Sequence, residues 1–582
     1  MLRTTSSRTI LLARSRNLPA TYRYTRRPYS VDEASTARPE ECDIVIVGGG
    51  PAGLALAGAL GSSHAIRGQL SVTLVEGGDL QKIREWAMPT DAFSNRVVSL
   101  TNTSQNFLQD IGAWDHVDVD RTCPMEGMQV WDGISDARIN FNALELGVPQ
   151  VAGSSQMARL TENFNLQRAL LKHLDGQSSV QLLDKTRVES IQQDKRESGS
   201  WPLVHLSDGR VLRARLLIGA DGFNSPVRSY AGIQSYGWNY DTHAIVATLH
   251  HSPRTISPNT TAFQRFLPTG PIAFLPLSPS VSSLVWSTKP PLAAALTKGD
   301  PATLSSMINA AFRLPEVSIR YLHNRILDAK NKGETLTAEQ LKDEIAWRER
   351  SHSIEHHSAY ASASVDPVIA NVGIPPDGAE LLPPLVESIQ PGTAASFPLR
   401  FNHTEQYVGE GAGARTVLVG DAAHTVHPLA GQGLNLGLAD VKCLARCIET
   451  AVLRGGDIGS HTALIPYARE RYFENHKLMS VFDKLHKLYG TTFPPVVWAR
   501  SVGLEIFNEL DTLKAAVMMS AGSGGGTRQK QGPSAGWNFV ASGFENATGA
   551  ARLTEAVGGA LRSTTVGVLQ QLAKAAADRG PR

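Results

Sequence analysis

The sequence predicts an α/β protein in which a βαβ unit is joined to a second unit built on a mixed or antiparallel sheet. Three observations predict it. Asp43-Ile44-Val45-Ile46-Val47 is a short, continuous apolar run that ends in a glycine-rich turn. After residue 120 the pattern changes to short strands among turns. A second buried-strand run, Thr416 to Val419, returns far downstream, ahead of a long amphipathic helix.

Taken in order, residues 43–47 suit a strand buried on both faces, because nothing in the run alternates with polar residues. Pro51 to Leu60 reads as a helix and Leu70 to Glu76 as the next strand, which completes one βαβ unit. Met128 to Val130, Ile139 to Phe141, Ala244 to Leu249, Phe263 to Leu267 and Leu284 to Trp286 read as strands of a mixed or antiparallel sheet. Residues 325–350 carry dense alternating charge. Within them, Thr337-Ala338-Glu339-Gln340 is a capping-box pattern that predicts a helix with Leu341 and Ile345 on one face. The proline-rich stretch 366–391 predicts an extended loop, and 325–391 as a whole reads as an insertion. Leu434 to Val452 predicts a helix whose Leu434, Leu438, Val441, Leu444, Ala445 and Ile448 form one core-facing stripe. Glycine and serine at 521–526 open a flexible link to an alanine-rich tail.

With 582 residues, of which 42% are hydrophobic and 19% charged, the chain has globular composition and length for two to four domains, which excludes a disordered or collagen-like protein. The net charge of +2 hides an asymmetry. Residues 1–31 hold seven arginines and no acid, so the remainder carries −5. A body of that charge has no field for gripping phosphate backbones, and nucleic acid is not an expected partner. The acid-free, arginine- and serine/threonine-rich start has the character of a mitochondrial transit peptide, with Arg27-Pro28-Tyr29-Ser30 resembling a matrix-protease cleavage site, so about 1–30 is set aside from the fold. Four cysteines are too few for a disulfide framework, and Cys443 and Cys447 read as buried thiols. His424 and His427 lack a third ligand, and His352, His356 and His357 fall on a charged segment without an H-E-x-x-H motif, so no metal is expected. The longest uncharged run, Phe266 to Thr288, is broken by prolines, which leaves peripheral membrane contact as the expected kind.

Three motifs carry chemistry. Gly48-Gly49-Gly50-Pro51-Ala52-Gly53 fits G-x-G-x-x-G between a strand and a helix. There Gly48 permits the tight turn, Gly50 lets a pyrophosphate approach the helix N-terminus, and Gly53 allows close helix–strand packing. Glu76 ends the next strand, where its carboxylate can accept from an adenosine ribose. Further on, Asp221-Gly222 follows a strand-like run in LLIGADGFNSPVR, and Gly420-Asp421 follows another in VLVGDAAHTVHPLAGQGLNLG.

In this order the three motifs resemble the fingerprints of the class A flavin-dependent aromatic hydroxylases. The segments QRFLPTGPIAFLPL (264–277), LVWST (284–288), Phe397-Pro398-Leu399 and YARERYFENH (467–476) look like the ubiquinone-biosynthesis branch of that family, the UbiH family. Arg96 in FSNRVVSL, and Glu162-Asn163 with Gln167 in LTENFNLQRAL, match family positions where the arginine and the glutamine approach the flavin. The resemblance covers roughly 42–320 and 395–510.

The resemblance implies a para-hydroxybenzoate hydroxylase-like fold: a Rossmann-like FAD-binding domain (42–240 and 396–455) interleaved with a mixed β-sheet substrate domain (241–395), followed by C-terminal helices (456–520) and a tail (521–582). It implies FAD as cofactor. Asp421 then binds ribitol or ribose hydroxyls, Gly431, Gly433 and Asn435 lie against the flavin pyrimidine edge with Pro428 beside them, and Asp221 and Gly222 complete the cofactor set. The implied reaction is hydroxylation of a polyprenylated 4-hydroxybenzoate at ring position 5 by dioxygen, with a second ring hydroxylation after decarboxylation left open. The implied partners are ferredoxin and its reductase and other ubiquinone-biosynthesis proteins on the matrix side of the mitochondrial inner membrane. No residue is named as general base. The competing readings are a non-catalytic flavin-binding assembly subunit and another flavin oxidoreductase on the same fold.

Overall fold

The computed structural model describes residues 39–145, 150–151, 154–194, 201–254, 256–334, 336–363, 376–426 and 431–508. The stretch read as a transit peptide, the tail at 521–582, His427 and Pro428 lie outside the described residues.

A seven-stranded sheet forms first around β1 (Glu40–Val47), with β2 (Val72–Val75) and β13 (Val211–Gly219) parallel to it on either side. Outward from β2 lies β10 (Val180–Leu183). Outward from β13 lie β12 (Pro202–Leu206) and β11 (Val188–Gln193), and the short β20 (Thr416–Leu418) pairs with the C-terminal end of β13. The apolar run at 43–47 behaves as its pattern predicts, with Ile44, Val45 and Ile46 fully buried. Helix α1 (Pro51–Ser62) is apolar all round because it is enclosed, packing against α4 (Asn163–Asp175) and α10 (Gln432–Leu453). Short helix α2 (Leu80–Arg84) packs on α4, and α5 (Pro226–Ala231) on β13 and β11.

The second sheet runs in the order β21 (His424–Thr425), β19 (Ala395–Thr404), β14 (Ser235–His251), β17 (Val281–Thr288), β16 (Gly270–Pro276), β15 (Thr261–Leu267), β5 (Gly127–Asp132) and β6 (Arg138–Asn142). Only the β15–β5 pair in that path is parallel, so the sheet is mixed, as the sequence predicts. Its two faces do different things. Phe263, Phe274, Trp286 and Ile245 point into a core shared with α6 (Pro290–Lys298), α7 (Pro301–Arg313), α8 (Glu316–Asn331) and α9 (Ala338–Ser351). The alternate residues, Ala262, Gln264, Ala273 and Val285 among them, line a cavity on the opposite face. Three short strands, β3 (Val97–Thr101), β4 (Thr122–Met125) and β9 (Ala158–Glu162), close that cavity from above, followed by α3 (Asn102–Asp110), while β7 (Gln150–Val151) and β8 (Ser154–Ser155) form a small separate pair.

The capping box forms both of its bonds, and α9 starts one residue after Thr337. Its Leu341 and Ile345 are buried beneath the sheet, on the face away from the cavity, so α9 does not cover the site. The proline-rich stretch departs from the expected loop at Val386–Ile389, which is strand β18 on the edge of β14, held by both ends of the Asn309 amide. Helices α11 (His461–Gly490) and α12 (Pro494–Asn508) complete the chain. Arg500 of α12 makes a two-bond pair with Asp132 of β5, both fully buried, and also caps α11 through the Leu488 and Thr491 carbonyls.

Candidate functional site

The turn between β1 and α1 is dictated by its glycines. A β-carbon on Gly53 would lie 1.9 Å from the Gly48 carbonyl oxygen, so only glycine permits this approach of helix to strand. A β-carbon on Gly50 meets nothing within 4 Å, because that side of the turn faces open space. Gly50 is also the N-cap of α1 and offers no side chain to it, which leaves the first-turn N–H groups for a ligand. Glu76 accepts from the Gly49 and Gly78 amides and so folds the loop round its own carboxylate. Gln167 of α4 reaches the Gly49 carbonyl from the other side at 3.5 Å.

The Asp-Gly and Gly-Asp motifs meet beside this turn. Asp221 caps α5 with one carboxylate oxygen, Oδ2, on the Val227 amide, while Oδ1 is buried without a partner. Burial pushes its carboxyl upward, against hydrogen bonds from Ser225 and Val227. Gly222 follows in the left-handed region at φ 78°. Arg228 ties the two motifs together by donating to the Phe223 and Ala422 carbonyls. Asp421 keeps solvent access but stands in a cleft that desolvates it, which raises its carboxyl above the usual range, with His424 pulling the other way. The preceding residue, Gly420, turns at φ 58° against Ala52 of α1 and Gly437 of α10.

Beneath this turn lies a buried polar cluster that sequence reasoning missed. Asp440 of α10 accepts from the Gly420 amide, His424 Nε2 at 2.6 Å, Arg471 Nε at 2.9 Å and Asn475 Nδ2 at 3.0 Å. Burial alone would raise the Asp440 carboxyl, but His424 and Arg471 hold it at about 2. A fully enclosed carboxylate on four donors fixes the Gly-Asp turn to α10 and α11. Arg471 and Asn475 belong to the YARERYFENH segment, so a signal was present, but its partner Asp440 sits inside an ordinary amphipathic helix and carried none.

Helix α10 begins at Gly431, whose φ of 62° turns the chain into the helix and, like Gly50, supplies no side-chain cap. Gly433 lies in its first turn. Asn435 braces that start: its amide bridges the Ser99 carbonyl and the Thr101 amide of β3 and pins the helix to that strand. Arg96 projects from the residue before β3, exposed and with no charged partner among the described residues. The loop that carries it is held by the buried Arg121–Glu162 pair, since Glu162 also accepts the Ser94 amide.

Arg96 and Gly431 line one end of a cavity of about 720 Å³, whose floor is the second sheet. Met125, Met128, Met157, Val246 and Leu275 make its wall mainly apolar, and its size falls in the usual range for a small-molecule site. Thus Gly48, Gly50, Gly53, Glu76, Gln167, Asp221, Gly222, Gly420 and Asp421 gather round one cleft, with Arg96, Gly431 and Gly433 where it meets the cavity. Asn435 stands behind.

The chain matches the family described as FAD binding domain over residues 41–331 and 390–478. It is 37% identical over 491 residues to the mitochondrial ubiquinone biosynthesis monooxygenase COQ6 of Schizosaccharomyces pombe, covering 83% of this chain and 92% of that one. The Homo sapiens protein of the same name is 35% identical, covering 82% and 92%. Among solved structures, p-nitrophenol 4-monooxygenase PnpA from Pseudomonas putida aligns with TM-score 0.55 at 15% identity, covering 83% of this chain and 99% of that one, which is a likeness of fold. The residues fit the cofactor: two helix N-termini without side-chain caps, the open side of Gly50 and the unpartnered Asp221 Oδ1 are what a flavin dinucleotide needs. The chain belongs to the FAD binding domain family and, within it, to the mitochondrial ubiquinone biosynthesis monooxygenases, and it is an FAD-dependent aromatic monooxygenase.

Proposed function

We propose that this monooxygenase hydroxylates ring position 5 of a polyprenylated 4-hydroxybenzoate, taking the oxygen atom from dioxygen. The observation that carries the reading is the cavity of about 720 Å³ between the α10 N-terminus and the second sheet, apolar enough to hold a ring with a prenyl substituent and to keep water out. In this reading, Gly48, Gly50 and Gly53 hold the pyrophosphate, Glu76 the adenosine ribose, and Asp221 and Asp421 the ribitol side. Gly431 and Gly433 face the flavin ring, with Arg96 and Gln167 at its edges. The bound flavin supplies activation of dioxygen, which no side chain can provide. The protein's part is placement, dryness and the positive end of α10, which favours negative charge at the cavity's end.

Electrons come from a mitochondrial ferredoxin and its reductase, a reading the family resemblance supports. The protein works peripherally on the matrix side of the inner membrane, beside other ubiquinone-biosynthesis proteins. Residues 484–504 contain no acid, and Phe493 and Trp498, at the turn into α12 and on it, are 61% and 54% exposed, which suits a lipid interface. No described helix is long and apolar enough to cross a membrane.

The test is mass spectrometry of quinone intermediates in cells lacking the protein, with and without the wild-type copy restored. The expected result is a prenylated ring missing one hydroxyl, cleared on rescue. Normal ubiquinone with no such intermediate would overturn the assignment.

A further inference from the structure

The floor of the cavity is a grid of side chains set by strand register. Ala262, Leu275 and Ser283 form one row, Gln264, Ala273, Val285 and Val246 the next, with Pro271 and Ser287 beyond them, while Phe266 on the same face stacks on Tyr489 of α11. Gln264 is the only long polar side chain on that grid. Its orientation is fixed from both sides, because its neighbours point the other way: Phe263 enters the helix-covered core, and Arg265 donates to the Ala311 and Leu314 carbonyls beneath the sheet.

Gln264 is 6% exposed and lines the cavity, yet its side-chain amide makes no hydrogen bond within the described protein. That sets it apart from three amides that brace the fold. Asn309, Asn435 and Gln390 each use both ends of the amide on backbone groups. Gln264 braces nothing. A buried amide left unbonded is costly, and such a group persists where water or a ligand satisfies it. Among the described residues lining the cavity none is a carboxylate, imidazole, phenol or amine. Hydrogen bonding from the floor therefore falls to Gln264, with the Ser283 and Ser287 hydroxyls two positions either side of Val285 on β17.

We infer that Gln264 is the positioning residue that fixes the ring of the substrate, its Oε1 accepting the hydrogen bond of the phenolic hydroxyl. The neighbouring Ala262, Ala273 and Val285 leave space for the ring beside it, and the methionine wall of β4, β5 and the approach to β9 takes the apolar substituent. A neutral amide holds the hydroxyl in one direction without withdrawing its proton, which makes this a contribution to orientation and to choice of substrate. The inference rests on the phenolic substrate proposed above.

The test titrates the FAD-loaded protein with a short-chain 3-prenylated 4-hydroxybenzoate and with its 4-methoxy ether, following the perturbation of the flavin absorbance spectrum. The wild type should prefer the phenol by about tenfold, the size of one hydrogen bond. Gln264→Met, which keeps the volume, should bind the two within twofold of each other, with flavin content and Tm unchanged. Gln264→Leu serves the same purpose if the methionine variant folds poorly. A variant that keeps the wild-type preference for the phenol overturns the inference and leaves the proposed reaction standing. Wild-type protein that binds neither compound overturns the substrate reading and the inference together.

Discussion

The two ends of the site are built on opposite principles. At the nucleotide end, backbone is pressed against backbone: a Gly53 β-carbon would fall 1.9 Å from the Gly48 carbonyl oxygen, and the Gly-Asp turn hangs on a carboxylate with four donors. At the cavity end, side chains stand back from one another round about 720 Å³, and an arginine and a glutamine keep their polar atoms unspent. The first end is tight because FAD is the same molecule in every turnover and its phosphates are best met by fixed N–H groups. The second is loose because substrate must enter and product must leave. Stability should therefore be concentrated in the first and in what fastens the second sheet, and selectivity in the second.

The sharpest way to break this contrast is Gly53→Val. The clash falls on backbone that cannot yield, so the variant should lose flavin and roughly 4 kcal/mol or more of stability, read from bound-flavin absorbance and urea unfolding. A valine variant that retained flavin would show that the turn is slack. Next is Arg500→Ala, which strands the fully buried Asp132 and should cost about 3–5 kcal/mol. It should also expose the Trp498–Ala499 bond to chymotrypsin. The double change Asp132→Leu with Arg500→Met should regain most of the loss, because the penalty lies in the orphaned charge more than in the missing pair.

Asp440→Asn should come third. The native carboxyl sits at about 2, below its ordinary value, so its ionised form stabilises the fold above pH 4 and that contribution fades as pH falls from 4 towards 2. By linkage it amounts to on the order of 2 kcal/mol. Unfolding free energy of the wild type should decline over that window, and the asparagine variant should follow a flatter line from a lower start. Equal slopes would mean that another carboxylate dominates acid unfolding.

Much of this architecture was legible in the sequence, and the reason is the same in each case: the residue type was forced. Only glycine fits at 48 and 53, the run at 43–47 must be buried on both faces, and Thr337 and Gln340 can hardly form both capping bonds except at a helix start. What was illegible depended on distant partners. Helix α8 has no side-chain cap at its start, and β3, β4 and β9 are too short to announce themselves. Asp440 finds Arg471 across 31 positions, and Arg500 finds Asp132 across 368. Gln264 lay within a quoted motif, but period-two alternation alone does not say which face of a sheet holds a cavity and which holds a core. The bracing of α10 to β3 is again a matter of distant partners, since the Asn435 amide reaches the Ser99 carbonyl across 336 positions.

The smallest effect expected is the most discriminating, because it sets function against stability at one atom. Asp421 stands in a desolvating cleft that raises its carboxyl above the ordinary value. A raised acid contributes least to stability when ionised, so the FAD-free fold is strained by this charge at neutral pH and relieved as pH falls. Asp421→Asn removes the charge while keeping the shape. The flavin-free variant should therefore melt no lower than wild type, and slightly higher at pH 7, while FAD affinity falls by tenfold or more, because a charged two-oxygen acceptor for its hydroxyls becomes a neutral amide with one acceptor and an NH2 donor. Differential scanning fluorimetry of stripped protein with FAD titration by flavin fluorescence separates the two. If the variant lost stability and kept FAD, the carboxylate would be part of the frame, and the division between a tight cofactor end and an open substrate end would have to be redrawn one residue further into the cleft.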